Sequence, residues 1–162
     1  MTPPRWLNER ENRAWRAFHH VSNDLAATLE RQLVQESGLS SADYELLVVL
    51  SETDGHRLRA RELRNQVSWD RSRLAHQVRR MEKRGLLRRT ECETDARGTM
   101  VELTEQGLES IRSAAPGHLA AVRRYFIDLL SPDELDLLTT IGERVLDNIR
   151  REQQAQELTR FH

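Results

Sequence analysis

This sequence predicts a mainly α fold with a small β wing, and three observations carry that reading. Apolar residues recur at steps of three and four in long segments on both sides of the chain's centre, the spacing of one helix face. Only the segment from Leu86 to Leu103 changes to the alternation of a strand pair. Glycine and proline are scarce, seven and four in 162 residues, which favours long helices over a many-stranded sandwich.

The elements follow in order. Residues 1–8 read as a loose arm, because Pro3-Pro4 disfavours helix. Asn8 is placed to cap a helix from Glu9 to Glu36, with Trp6 and Leu7 stapling its start. Its apolar face is Trp15, Phe18, Val21, Leu25, Leu29 and Leu33, and Gly38 ends it. Ser40, with Asp43 three residues on, opens a second helix whose centre, Tyr44 to Leu50, is apolar nearly all round and therefore buried. Leu58 marks a very short strand. Ala60 to Asn65 is a short helix carrying Leu63, and Val67 ends it.

A longer helix is predicted from Ser68 to Arg84, with Leu74, Val78 and Met81 as a narrow seam. Its opposite face holds Ser72, Arg73, His76, Gln77, Arg79, Arg80, Lys83 and Arg84. Two strands follow, residues 87–91 and 99–103, joined by a turn at residues 94–98. A lone hairpin is marginal and must pack on the helices before it. Thr104 caps a helix to about Leu130 that Pro116-Gly117 should kink or break. Ser131-Pro132-Asp133-Glu134 starts the last helix, with Leu135, Leu138, Ile141, Val145 and Ile149 inward and a fraying end from Glu152.

A short helix, a turn, a longer helix with a basic outer face and then a hairpin make a winged helix–turn–helix. The organisation is one continuous domain in three parts: an N-terminal arm and dimerisation helix (residues 1–39), the winged helix–turn–helix lobe (40–104) and C-terminal dimerisation helices (105–162). The long helices carry more apolar face than so small a core covers, and a second copy of the chain is the simplest cover.

Charge patterning names the partner. Residues 57–89 hold twelve Lys/Arg against three acids, a local balance of +9 in a chain of net charge −1. Such segregation suits a polyanion. Arg71, Ser72, Arg73, His76 and Gln77 are the candidates for base edges, since Arg pairs with guanine O6/N7 and Gln with adenine. Arg79 and Arg80 are placed for phosphates. Arg97, at the wing tip, suits a narrow minor groove, with Asp95 orienting it.

Other classes fare less well. No Gly-rich phosphate loop or nucleophile–base pattern supports an enzyme, no cofactor is implied, and adjacent His19-His20 lacks metal-ligand spacing. No apolar run reaches a membrane span, the first residues lack the apolar core of a signal peptide, and Cys92 is the single cysteine, so a cytoplasmic setting is expected. Two alternatives are a helical module binding an acidic protein partner and a redox-responsive regulator acting through Cys92. Glu91 and Glu93 flank that thiol and disfavour its thiolate.

The most specific residues are Arg71-Ser72-Arg73-Leu74, the run Arg79 to Arg89, Asp95-Ala96-Arg97-Gly98, and Leu103-Thr104-Glu105-Gln106-Gly107. An Asp-x-Arg wing followed by Leu-Thr-x-x-Gly resembles the multiple antibiotic resistance regulator (MarR) family over about residues 10–150. The chain departs from that pattern at Arg64, where the family has a small residue, and at the bulky Trp69-Asp70-Arg71 opening of the recognition helix. The resemblance implies a homodimeric transcription regulator, a repressor in the first instance, on pseudo-palindromic operator DNA and released by a small anionic or phenolic effector. Trp15, His19, Tyr44, Trp69 and Arg73 are the candidates to line the effector pocket, an aromatic wall with a nearby cation.

Overall fold

The computed structural model describes the backbone of residues 4–92 and 95–160, and the side chains of these except 91–97 and 157–160. The helices are α1 (Glu9–Ser37), α2 (Ser41–Glu52), α3 (Ala60–Val67), α4 (Arg71–Lys83), α5 (Glu105–Tyr125) and α6 (Pro132–Arg160). The strands are β1 (Arg57–Arg59), β2 (Leu87–Cys92) and β3 (Asp95–Leu103), in the antiparallel order β1-β3-β2. The chain divides into two compact units, Met1–Ala121 and Val122–His162.

Caps fix the helix starts. The Asn8 side chain accepts from the Glu11 amide at 2.9 Å while Glu11 accepts from the Asn8 amide at 2.8 Å. Ser40 and Asp43 form the same reciprocal pair, at 3.1 and 2.9 Å, and Ser131 and Glu134 at 3.3 and 2.8 Å. Gly38 closes α1 at a φ of 68°, a left-handed conformation that favours glycine.

The core of the first unit sits where α2, α3, α4, the sheet and the start of α5 meet. Leu46, Leu47, Leu50, Leu63, Leu74, Val78, Met81, Leu87, Val101 and Ile111 are all buried in it. The apolar run of α2 is therefore a buried helix, and the wing strands rest on helices as a lone hairpin must. One junction locks wing to helix. Thr104 Oγ1 donates to the Gly85 carbonyl at 2.6 Å and accepts from the Gly107 amide at 3.0 Å. Gly107 lies so close to the residue that precedes β2 that a Cβ there would stand 2.1 Å from the Leu86 carbonyl oxygen. This is the physical content of the Leu-Thr-x-x-Gly run: a cap that ties two elements and a glycine that lets backbones touch.

Several boundaries differ from the sequence expectation. Helix α4 starts at Arg71 and not Ser68, because Ser68 has a φ of 54° as the last turn of α3 closes, and the Asp70 side chain takes the cap by accepting from the Arg73 amide at 2.9 Å. Strand β3 begins at Asp95, inside the expected turn at residues 94–98, since pairing resumes beyond an irregularity at Glu91/Cys92 with Cys92 opposite Asp95. Helix α5 runs unbroken through Pro116; the residue it deprives of a hydrogen bond, Arg112, is exposed and water can serve its carbonyl. That helix stops at Tyr125 rather than Leu130, with a single 3-10 turn over Ile127–Leu129. Helix α6 continues to Arg160, past the expected fray at Glu152, because its polar end is built from good helix formers.

Much of the predicted apolar face of α1 is uncovered. Trp15, Phe18 and Val21 are each more than half exposed, and only Leu33 and Gln32 of this helix are buried. Trp6 and Leu7, expected to staple the start of α1, are 84% and 56% exposed. On α6, in the second unit, Leu138, Ile141, Val145 and Ile149 stand exposed in the same way. No helix among the described residues is long and apolar enough to cross a membrane.

Candidate nucleic-acid interface

Helix α4 is anchored by its apolar seam. Leu74, Val78 and Met81 are at most 4% exposed. Burying them turns Arg71, Ser72, Arg73, His76, Arg79, Arg80 and Lys83 outward, and all seven are exposed. Positions 72, 73, 76, 79, 80 and 83 are spaced as one continuous face. No acidic partner holds Arg71, Arg79, Arg80 or Lys83 among the described residues, so their charge is available to a polyanion.

Gln77 is the exception and corrects the reading of that face. It is 6% exposed, and its Nε2 donates to Asp43 Oδ1 at 2.6 Å. It sits three residues after Leu74 and four before Met81, so its spacing already assigned it to the seam. Its amide is held by Asp43 inside the fold and is not offered on the outer face.

Asp43 is a hub that sequence reasoning treats only as a cap. Its buried carboxylate accepts from the Ser40 amide at 2.9 Å, from Gln77, and from Arg84 Nη1 at 2.6 Å, and Arg84 Nη2 donates to the Gly38 carbonyl at 2.9 Å. The middle and the end of α4 are thereby bonded to the α1–α2 junction. Arg84, expected on the outer face, is spent on this anchor. Arg88 and Arg89 are likewise paired within the fold. Arg88 lies opposite Glu102 on β3 and bonds it through Nε at 3.0 Å, and Arg89 bonds Glu82 at 2.7 Å. These hydrogen bonds hold the Glu82 and Glu102 carboxyls below the usual range.

Arg73 is exposed but not loose. Its guanidinium lies 4.1 Å from the centroid of Trp69, a buried residue that closes the helix–turn–helix corner. It also faces Glu45, whose carboxyl pKa is pushed up by burial, an effect this charge only partly offsets. The bulky approach to α4 is thus a core plug with an arginine resting on it.

The five residues expected to line an effector pocket fall into three pairings. Trp15 contacts Phe18 and His19 on the exposed side of α1, with ring centroids 6.1 and 6.2 Å away. Tyr44 packs on His118 of α5 at 4.3 Å, and Trp69 pairs with Arg73. No sequence signal marked His118. Its Nδ1 lies 3.1 Å from Gln32 Oε1, Gln32 Nε2 donates to Glu36 at 2.6 Å, and burial lowers the imidazole's pKa while it raises that of Tyr44. The wing candidates Asp95 and Arg97, and the thiol of Cys92, have side chains outside the described residues; the backbone puts Asp95 and Arg97 on β3 and Cys92 on β2.

Between α3, α4 and the sheet lies a concavity of about 540 Å³, to which Arg59, Arg61, Arg64, Arg71 and Arg89 all contribute against one acid, Glu62. The charge run announced these residues without saying that separate elements bring them together.

Comparison with known proteins agrees with this architecture. The MarR family model matches residues 39–99. AbsC, a MarR family transcriptional regulator from Streptomyces coelicolor, superposes with a TM-score of 0.88 at 45% identity, covering 91% of this chain and 99% of that one. Sco3205, a MarR family transcriptional regulator from the same organism solved in complex with DNA, gives 0.87 at 39% identity, covering 91% and 92%. The transcriptional repressor MprA of Escherichia coli (strain K12) is 24% identical over 135 residues, 83% of this chain and 76% of that protein. A winged helix–turn–helix lobe with an arginine-faced α4, and a similarity that spans nine-tenths of the chain, have one reading: this chain belongs to the MarR family of transcriptional regulators.

Proposed function

We propose that the protein is a homodimeric repressor that lays α4 in the major groove of a pseudo-palindromic operator and its wing against the adjacent minor groove. The observation that carries this is the outward face of α4: six side chains able to bond bases or phosphates, held rigid by a buried seam behind them. Sco3205 was solved on DNA, and MprA is named a repressor. The exposed apolar residues on α1 and, separately, on α6 support the dimer, since a helix face of this kind calls for a partner surface. Two-fold symmetry would offer two recognition helices to successive major grooves, about 34 Å apart.

A small anionic or phenolic effector completes the reading. It releases DNA by favouring a lobe spacing that no longer fits one helical turn, and to do so it must bind the two spacings unequally. The wing arginine, Arg97, and Asp95 complete the DNA-facing set.

The test is selection of binding sites from random duplexes, followed by affinity and stoichiometry on the winner. A palindromic winner bound by two chains is the expected result. Substituting Ile141 and Val145 on α6 by Asp should give monomers by light scattering and weaken operator binding at least tenfold. Binding of a lone chain to a non-repeated site would overturn the dimer. Titrating salicylate into the complex tests release, and an unchanged affinity at millimolar levels would count against a phenolic carboxylate. The acidic-partner reading predicts a flat salt dependence with duplex DNA; this one predicts a steep one.

A further inference from the structure

Trp69 and Arg73 stand on either side of the start of α4, and both are fixed at the backbone. Ser68, at a φ of 54°, turns the chain out of α3, and the Trp69 amide donates to the Arg64 carbonyl at 3.2 Å. The indole belongs to the same buried core as Leu63, Leu74 and Val78. Four residues on, the Arg73 amide donates to the Asp70 side chain at 2.9 Å. The Arg73 guanidinium lies 4.1 Å from the Trp69 ring centroid, and the Glu45 carboxylate of α2 attracts the same charge. Among the described residues no other arginine of α4 has an aromatic partner, although Arg71, Arg79 and Arg80 are exposed like Arg73.

We infer that Trp69 is a positioning residue for sequence reading: its indole holds the Arg73 guanidinium in the orientation that bonds guanine O6 and N7 in the major groove. The chemistry of the two groups favours this over a phosphate contact. Stacking occupies the face of a guanidinium and leaves its N–H edge open, and the edge is what pairs bidentately with guanine. A phosphate accepts from many directions, so an arginine that serves one gains little from a fixed plane. A base edge accepts in one plane, and a guanidinium already confined to it loses less side-chain freedom on binding. Because the indole is buried, the plane it sets is anchored to the core that carries α4. Preference for one guanine in each half-site then depends on a residue that is itself hidden from the groove.

The inference rests on the DNA-binding reading above and is tested so that the two fail differently. Binding-site selection with the wild type and Arg73→Ala locates the base pair that Arg73 reads, as the position whose guanine preference the alanine variant loses. Affinities are then measured for the wild type, Trp69→Leu, Trp69→Phe, Arg73→Ala and both Trp69 variants combined with Arg73→Ala. The duplexes are the operator, the operator with that guanine replaced, and a scrambled sequence, with melting temperatures alongside. Trp69→Leu should weaken the guanine preference about fivefold per half-site, the worth of one cation–π contact. Trp69→Phe, with a weaker aromatic face, should weaken it about twofold, and it carries the test if the leucine variant does not fold. The loss should be confined to that base pair. The slope of log affinity against log salt should stay as in the wild type, because no charge is removed. In the Arg73→Ala background neither Trp69 substitution should change the preference further. A loss spread evenly over all base pairs, or one that persists at full size in the alanine background, makes the indole a core plug only and overturns the inference. An Arg73→Ala variant that keeps every base preference also overturns it, and a steep salt slope then leaves the DNA-binding reading standing. A flat slope in the wild type on every duplex removes that reading itself.

Discussion

Asp43 and Arg84 meet at 2.6 Å across 41 residues of sequence, and through them the end of α4 is fastened to the start of α2. The carboxylate is 3% exposed and the guanidinium 40%. Removing the acid leaves Gln77 buried without its acceptor and Arg84 without its charge partner. Asp43→Ala should destabilise the protein by about 2–3 kcal/mol, reduced from the full cost of a broken buried pair because Arg84 is partly in water. Chemical denaturation measures this directly. A change below half a kcal/mol would show that the network is not what holds α4 in place.

Gln77 and His76 are neighbours with opposite fates, and substitution separates them. Gln77→Ala should lower stability by about 1–2 kcal/mol through the missing buried hydrogen bond, with base preference unchanged. His76→Ala should leave the melting temperature within a degree or two and alter the sequences recovered by binding-site selection. The reverse pattern, a specificity change from Gln77 alone, would mean that the amide leaves Asp43 when DNA binds.

Gly107 tests the junction between wing and α5. A methyl group there would stand 2.1 Å from the Leu86 carbonyl oxygen and 2.8 Å from the Leu103 side chain. Backbone cannot yield as a side-chain tip does, so Gly107→Ala should cost roughly 3 kcal/mol, at the upper end for overpacking. Thr104→Val removes the hydroxyl that binds the Gly85 carbonyl while keeping shape, and about 1–2 kcal/mol is expected. If both variants melt with the wild type, the tight approach has relaxed by moving α5, and the wing should then show faster amide exchange.

The order of elements was legible in the sequence because each helix carries its own start signal and a three-four apolar step. The capping pairs at Asn8, Ser40 and Ser131 form as the residues require. What escaped was the allocation of charge. Arg84, Arg88 and Arg64 look alike in a basic run, yet one anchors a helix, one pairs across two strands and one borders an open concavity. That difference is set by residues 41 or 14 positions away, which no local pattern contains. Gln77 escaped for another reason. Its spacing placed it in the seam, but its polarity argued for the outer face, and a buried acid on another helix decided the matter. No sequence pattern announced the partner of Tyr44, His118 of α5, because it lies on another helix.

His118 gives the protein a pH dependence with a definite sign. The groups facing it are Gln32 and, through it, Glu36 on α1, and Tyr44 on α2, whose hydroxyl also feels Glu52. Burial disfavours the imidazolium, so the folded-state pKa lies below the unfolded value of about 6.5. The unfolded chain then binds more protons than the folded one as pH falls through that value, and stability must fall with it; above about 6.5 both states are neutral at this residue and the contribution is fully present. The melting temperature should therefore drop between pH 6.5 and pH 5 more steeply in the wild type than in His118→Asn, which keeps a side-chain donor for Gln32 but cannot titrate. Between pH 7 and 8 the two curves should run parallel. Equal slopes on the acid side would mean that Glu36, reached through Gln32, already offsets the burial, and the α1–α2–α5 junction would then be insensitive to acid.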